Sequence, residues 1–224
     1  MKISLNNSKS NSRYIKPKTF KYLDEKQLKY RNAEEMVNDM DFEGENKRYF
    51  AFIDGSFFFG DFIEAFIVKN NIHVKKMTIS TLSMNQNNID SLHNLLKGNF
   101  VDELNLIVSD YFFSHEKKSL IPYIYEKLDI DNKFQFASAG THCKLCCFET
   151  INARKFVIHG SANLRSSANI EQIMFEENED LYNFTDEIQS NIVETYKTIN
   201  KSVRYGKLWE CIEKVNTNKI SIKF

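Results

Sequence analysis

Several features that would place a chain in other classes are missing from this one. No stretch approaches the roughly 18 consecutive apolar residues of a membrane-spanning helix. The first residues, Met1-Lys2-Ile3-Ser4-Leu5-Asn6, lack the apolar run of a signal peptide. Both absences lead to the expectation of a soluble protein that stays in the cytoplasm, with no membrane partner. Net charge is absent too: Lys plus Arg and Asp plus Glu number 30 each. That removes the global basic field behind non-specific nucleic-acid binding, so any such contact has to be local. The chain has only four cysteines, three of them crowded at Cys143, Cys146 and Cys147, which is not an evenly spread disulfide framework and fits a reducing compartment. No internal repeat is present, so whatever site exists is made once per chain.

What the chain does have is material for a core. Apolar residues make up 42% of it, with 19 Phe and 10 Tyr, and 224 residues accommodate one ordinary domain or a modest domain with an extra arm. Residues 1–47 are rich in Lys, Asn, Ser and Glu without sustained period and read as a flexible or loosely docked polar arm, with a polar helix over Asp24 to Met40. From Arg48 onward, short apolar runs alternate with amphipathic stretches, the pattern of an α/β domain over residues 48–224. Strands are expected at Tyr49–Ile53, Met77–Leu82, Leu104–Ser109 and Phe134–Ala137, and helices at Phe62–Val68, Ile89–Leu96 (stopped at Gly98) and Leu120–Leu128. Lys144–Phe148 and Phe156–His159 read as a hairpin. After Asn163 the chain is expected to turn helical, with two helices up to about Ser202, broken near Asn183 to Thr185.

The chemistry concentrates in one segment: His142-Cys143-Lys144, fifteen residues, Gly160-Ser161-Ala162-Asn163, then Asn169-Ile170-Glu171. Residues two apart on a strand share a face, so His142 and Lys144 are expected to project together. The ammonium is a compact charge for a phosphoryl oxygen, and the imidazole can act as nucleophile or proton donor near neutral pH. Gly160 allows a tight strand exit, after which the Ser161 hydroxyl and the Asn163 amide can donate to phosphate oxygens. A nucleophilic histidine needs its second nitrogen held, and Glu171 is the carboxylate expected to hold it. The roles close without a metal or other cofactor.

This segment resembles the signature of the phospholipase-D superfamily, here reading HCK, GSAN and NIE over His142 to Gln172. The resemblance implies an α/β fold with a mixed sheet flanked by helices and one motif per chain. It also implies a metal-independent phosphodiesterase, a nuclease by preference, with a phosphohistidine intermediate. Because the reaction takes two histidines, the resemblance further implies a homodimer with a shared site. Catalysis falls to His142, Lys144 and Glu171, phosphate binding to Ser161, Asn163 and Arg165, and supporting roles to Gly160, His159 and Asn169. Two departures stand out: Glu149 occupies the usual Asp position five residues after the Lys, and ten residues rather than about six separate it from Gly160. The wider string HGSANLRSSANIEQ is similar to a variant among phage and prophage members, which the Asn, Lys and Ile bias would suit.

Blander readings compete with this one. His142, Cys143, Cys146, Cys147 and His159 are candidate zinc ligands, but a strand sends Cys143 and Cys147 to one face and His142 and Cys146 to the other, so the cysteines read as core residues. His159 reads first as a strand-end histidine bonded to backbone, and Arg165 equally as a surface arginine near a helix start. The Asp54-Gly55-Ser56 turn and Phe57 to Phe59 lie where family substrate loops fall, with core packing the default for the rings. His73, His93 and His115 are expected to be solvated. Nucleic acid, DNA or RNA, is the expected substrate, and lipid is disfavoured without an insertion helix. The alternative is a non-catalytic nucleic-acid-binding or assembly protein on the same fold, and the polar arm and Glu-rich carboxyl helices offer docking surfaces for an assembly.

Overall fold

In the computed structural model the residues described are 25–40, 47–55, 59–165, 169–199 and 201. In chain order the elements are α1 (Glu25–Asn38), β1 (Arg48–Ile53), α2 (Phe59–Lys69), β2 (Val74–Thr81), α3 (Gln86–Lys97) and β3 (Leu104–Ser109). They continue with α4 (Asp110–His115), α5 (Leu120–Leu128), β4 (Phe134–Ala139), β5 (Leu145–Thr150), β6 (Lys155–Gly160), β7 (Glu171–Glu177) and α6 (Glu179–Tyr196). One seven-stranded sheet runs in the order β1-β7-β6-β5-β2-β3-β4. β2, β3 and β4 are parallel, joined by helical crossovers, whereas β1, β7, β6, β5 and β2 pair antiparallel.

α1, α2, α3 and α5 cover one face, where Phe62 and Phe66 meet Phe148, Phe156 and Phe175 of β5, β6 and β7. The expected polar helix is α1, and its inner residues Ala33 and Val37 belong to this core. α6 lies on the other face, packing Tyr182 against Cys147 and Val157, and Ile192 and Val193 against Ile107 and Ala137. That face of the sheet is more polar, and Gln189 bridges it by donating to Ser80 at 3.0 Å. α3 opens on a capping box in which Asn85 and Asn88 satisfy each other's backbone N–H groups.

Two expectations fail downstream of the motif. Glu171–Glu177 is a strand, not helix: Ile173 and Phe175 go into the core at a period of two, a strand period. The helix that follows is single and passes through Asn183 to Thr185 unbroken. Thr185 is accommodated because its hydroxyl donates back to the carbonyls of Leu181 (2.8 Å) and Tyr182 (3.1 Å). The solvated histidines are also engaged: His73 pairs with Asp102 at 2.9 Å, His93 donates through Nδ1 to the Lys127 carbonyl at 2.7 Å, and His115 stacks on Tyr111.

Candidate active site

The β5–β6 hairpin forms as expected, tied by Thr150 N–H to the Arg154 carbonyl at 2.9 Å. It brings the two halves of the motif to one end of the sheet. His142 and Lys144 sit just before β5 rather than on it, because the chain is still turning there: Thr141 N–H bonds back to the Ala139 carbonyl at 2.7 Å, and Cys143 N–H to the Thr141 hydroxyl at 3.1 Å. The imidazole of His142 is exposed and makes no hydrogen bond or ion pair among the described residues, while the Lys144 ammonium folds back towards the His142 carbonyl at 3.4 Å.

On the other side of the site, β6 ends at Gly160, where a Cβ would stand 2.1 Å from the Gln172 carbonyl oxygen of β7. Only glycine lets the two strands close to this pairing, and it sets the exit of the Ser161 loop. Ser161 is then locked to β7: its N–H donates to the Gln172 carbonyl (2.9 Å), its hydroxyl accepts from Gln172 N–H (3.0 Å) and donates to the Glu171 carboxylate. The carboxylate expected to hold the His142 ring is therefore engaged by Ser161. Asn163 turns its amide oxygen inward to accept from Leu82 N–H at 3.1 Å, so Nδ2 remains as the donor for an anion. Leu164 completes the anchor, donating to Thr81 Oγ1 at 3.2 Å and accepting from Asn88 Nδ2 at 3.0 Å. GSAN is thus a loop pinned to the carboxyl end of β2, as an open α/β sheet places ligand loops.

Between these halves lies an open cleft of about 600 Å³, lined by Lys144, His159, Gly160 and Ser161, with Leu181 and Thr185 of α6 as part of its wall. Among the described residues His159 is not bonded to backbone but faces Glu176 at 3.5 Å. Glu176, only 3% exposed, also receives Arg48 Nη2 at 2.8 Å. Burial works to raise the pKa of Glu176, but the bonds from Arg48, Asn178 and His159 outweigh it and hold the carboxyl below its ordinary value. Arg165 and Asn169 are exposed on the loop leading to β7. Glu149, in the position of the family Asp, lies towards the far end of β5 and pairs with Lys75 at 3.3 Å. Ser56 to Phe58 of the expected substrate loop lie outside the described residues, and Phe59 is buried in the core.

Cys146 points into the core under α2 and Cys147 into the α6 face, where burial pushes its thiol up to about 12, whereas Cys143 is exposed. Among the described residues no three His, Cys, Asp or Glu side chains are grouped to hold a metal ion, and no helix is long and apolar enough to cross a membrane. The contributions of Gln172, Leu181 and Thr185 to the cleft carried no sequence signal, since they depend on how β7 and α6 pack rather than on the motif.

No protein-family profile matches the chain, and no curated protein sequence matches it. Solved structures do. NucT from Helicobacter pylori is similar at 11% identity and a TM-score of 0.50, over 68% of this chain and 98% of NucT. Phosphatidylserine synthase from Haemophilus influenzae is similar at 13% identity and a TM-score of 0.51, over 81% of this chain and 48% of the synthase. Nuc from Salmonella typhimurium, a phospholipase D family member, shows 15% identity and a TM-score of 0.48 over 66% of this chain and 94% of Nuc. The chain has a phospholipase-D-like α/β fold, with a mixed sheet flanked by helices.

Proposed function

We propose that this chain is a phosphodiesterase of the phospholipase-D type that cleaves nucleic acid without a metal, at a site shared between two copies. The observation that carries the reading is the convergence of Lys144 with Gly160 and Ser161 on one cleft, although fifteen residues separate Lys144 from Gly160. Lys144 lines that cleft, while the exposed imidazole of His142 and the pinned amide of Asn163 stand on loops at the same end of the sheet, outside the lining itself. In the proposed reaction His142 attacks phosphorus through a ring nitrogen and the P–O bond to the leaving oxygen breaks. The partner's His142 gives that oxygen its proton. Water then attacks the phosphohistidine, losing a proton to the partner's His142 as the P–N bond breaks. Lys144 and the Asn163 amide offset charge on the phosphoryl oxygens, and Arg165 meets the flanking phosphate.

Substrate has to compete for the Ser161–Glu171 bond: once a phosphate oxygen takes the Ser161 hydroxyl, Glu171 is the carboxylate we propose turns to the exposed imidazole of His142. The same bond favours the second reading, a non-catalytic nucleic-acid-binding or assembly protein in which Glu171 stays with Ser161. The discriminating experiment incubates purified chain and its His142→Ala variant with labelled single- and double-stranded DNA and RNA in EDTA, with light-scattering mass measured alongside. Cleavage by the parent alone and a dimer mass are expected. Binding without cleavage would establish the second reading, and a monomer that cleaves would remove the shared site.

A further inference from the structure

The α6 face of the sheet continues past the cleft onto β1, an edge strand. Tyr49, Ala51 and Ile53 turn towards the core, so Arg48, Phe50 and Phe52 turn to the opposite face. There Phe50 is 54% and Phe52 69% exposed, and their rings meet edge to face with centroids 5.3 Å apart. Exposed aromatic rings side by side on a strand add nothing to the core, and although one ring's edge meets the other's face, each keeps half or more of its surface open to a planar partner.

The register ties these rings to the cleft. Phe50 pairs with Met174, Met174 with His159, and His159 with Leu145, one lateral row across β1, β7, β6 and β5 that ends beside Lys144. With strands about 4.8 Å apart, Phe50 and His159 are two steps, or roughly 10 Å, from each other. Phe52 pairs with Gln172, whose carbonyl holds Ser161 N–H. Cationic groups bracket the rings on this face: Arg48 two residues before Phe50, its charge partly offset by buried Glu176, and Lys144 in the cleft.

From this arrangement we infer that Phe50 and Phe52 are a base-stacking platform for single-stranded nucleic acid whose phosphodiester lies in the cleft. Stacking requires an unpaired base with a free face, and a duplex offers none along its length. Phe50 and Phe52 by themselves are far too small an apolar patch to hold two copies together, which needs on the order of 1,000 Å², whereas one base covers a ring. The inference rests on the reading of the cleft as a nucleic-acid phosphodiester site.

The test measures fluorescence anisotropy of a labelled single-stranded oligothymidylate, its duplex, and an abasic strand of equal length. All are titrated with full-length protein in the His142→Ala background, which keeps the strand whole. The double variant Phe50→Ala/Phe52→Ala is expected to lose about tenfold or more in affinity for the single strand. It should leave the abasic strand and the light-scattering mass unchanged, and Phe52→Tyr should keep the affinity. Equal affinity of the double variant for the single strand, or an equal loss on the abasic strand, overturns the platform and leaves the cleft reading standing. A changed mass assigns the rings to a contact between copies and overturns it as well. Binding of neither single strand nor duplex by the undisturbed rings overturns the cleft reading together with the platform.

Discussion

Glu176 shows how one side chain organises the margin of the site. It lies beneath the aromatic edge of the sheet, takes Arg48 of β1 at 2.8 Å and faces His159 of β6 at 3.5 Å, so it links three strands. Because its folded pKa lies below the ordinary 4.5, the carboxylate adds stability above that value, and the contribution is lost as pH falls through the folded value. Glu176→Gln should therefore lower the thermal midpoint at neutral pH. It should also shrink the drop in midpoint on acidification below about pH 4.5, as followed by circular dichroism across a pH series. An acid limb as steep as the parent's would remove the carboxylate from this role. The sequence contains no sign of this pairing, since Arg48 and Glu176 are 128 residues apart and meet only through the β1–β7 register.

At the scale of elements, the hairpin that joins the two halves of the motif carries its own strain. Its turn holds Ala153 at φ 61, the left-handed region in which a Cβ crowds the following carbonyl. Ala153→Gly should raise stability by about 1 kcal/mol once the greater unfolded-state freedom of glycine is subtracted, seen as a higher urea midpoint at unchanged slope. A lowered midpoint would show the methyl to be packed to advantage. The elements also show what could be read from pattern. β3 and α5 fall at the expected residues, Leu104–Ser109 and Leu120–Leu128, because an apolar run and a helical spacing stand there between clear stops. The Glu-rich stretch at β7 predicts helix, yet Phe175 packs on Phe62 and Phe66, Ile173 joins the same core, and burial across the sheet outweighs propensity.

For the whole molecule, balance of charge limits what the proposed binding can rest on. With 30 basic and 30 acidic side chains there is no field to hold a long strand, so under the proposed function affinity would come from Lys144, Arg165 and stacking. Two phosphate contacts per copy, four at a site shared between two copies, give a slope of log K against log salt of about −2.8 on a single strand, and a value several times steeper would mean a basic surface beyond these groups. A titration at several salt concentrations measures it directly.

The sequence by itself determined the α/β class, the hairpin, and the identity and order of the motif residues, because periodicity and short spacings are local properties. Only the tertiary structure decided that His142 precedes β5, that Glu171 serves Ser161, that His159 faces Glu176, and that Phe50 and Phe52 share the cleft's face. Each of these depends on which strands become neighbours and in what register. That is chosen by burying the aromatic core between the sheet and α2, a choice distributed over residues far apart in the chain.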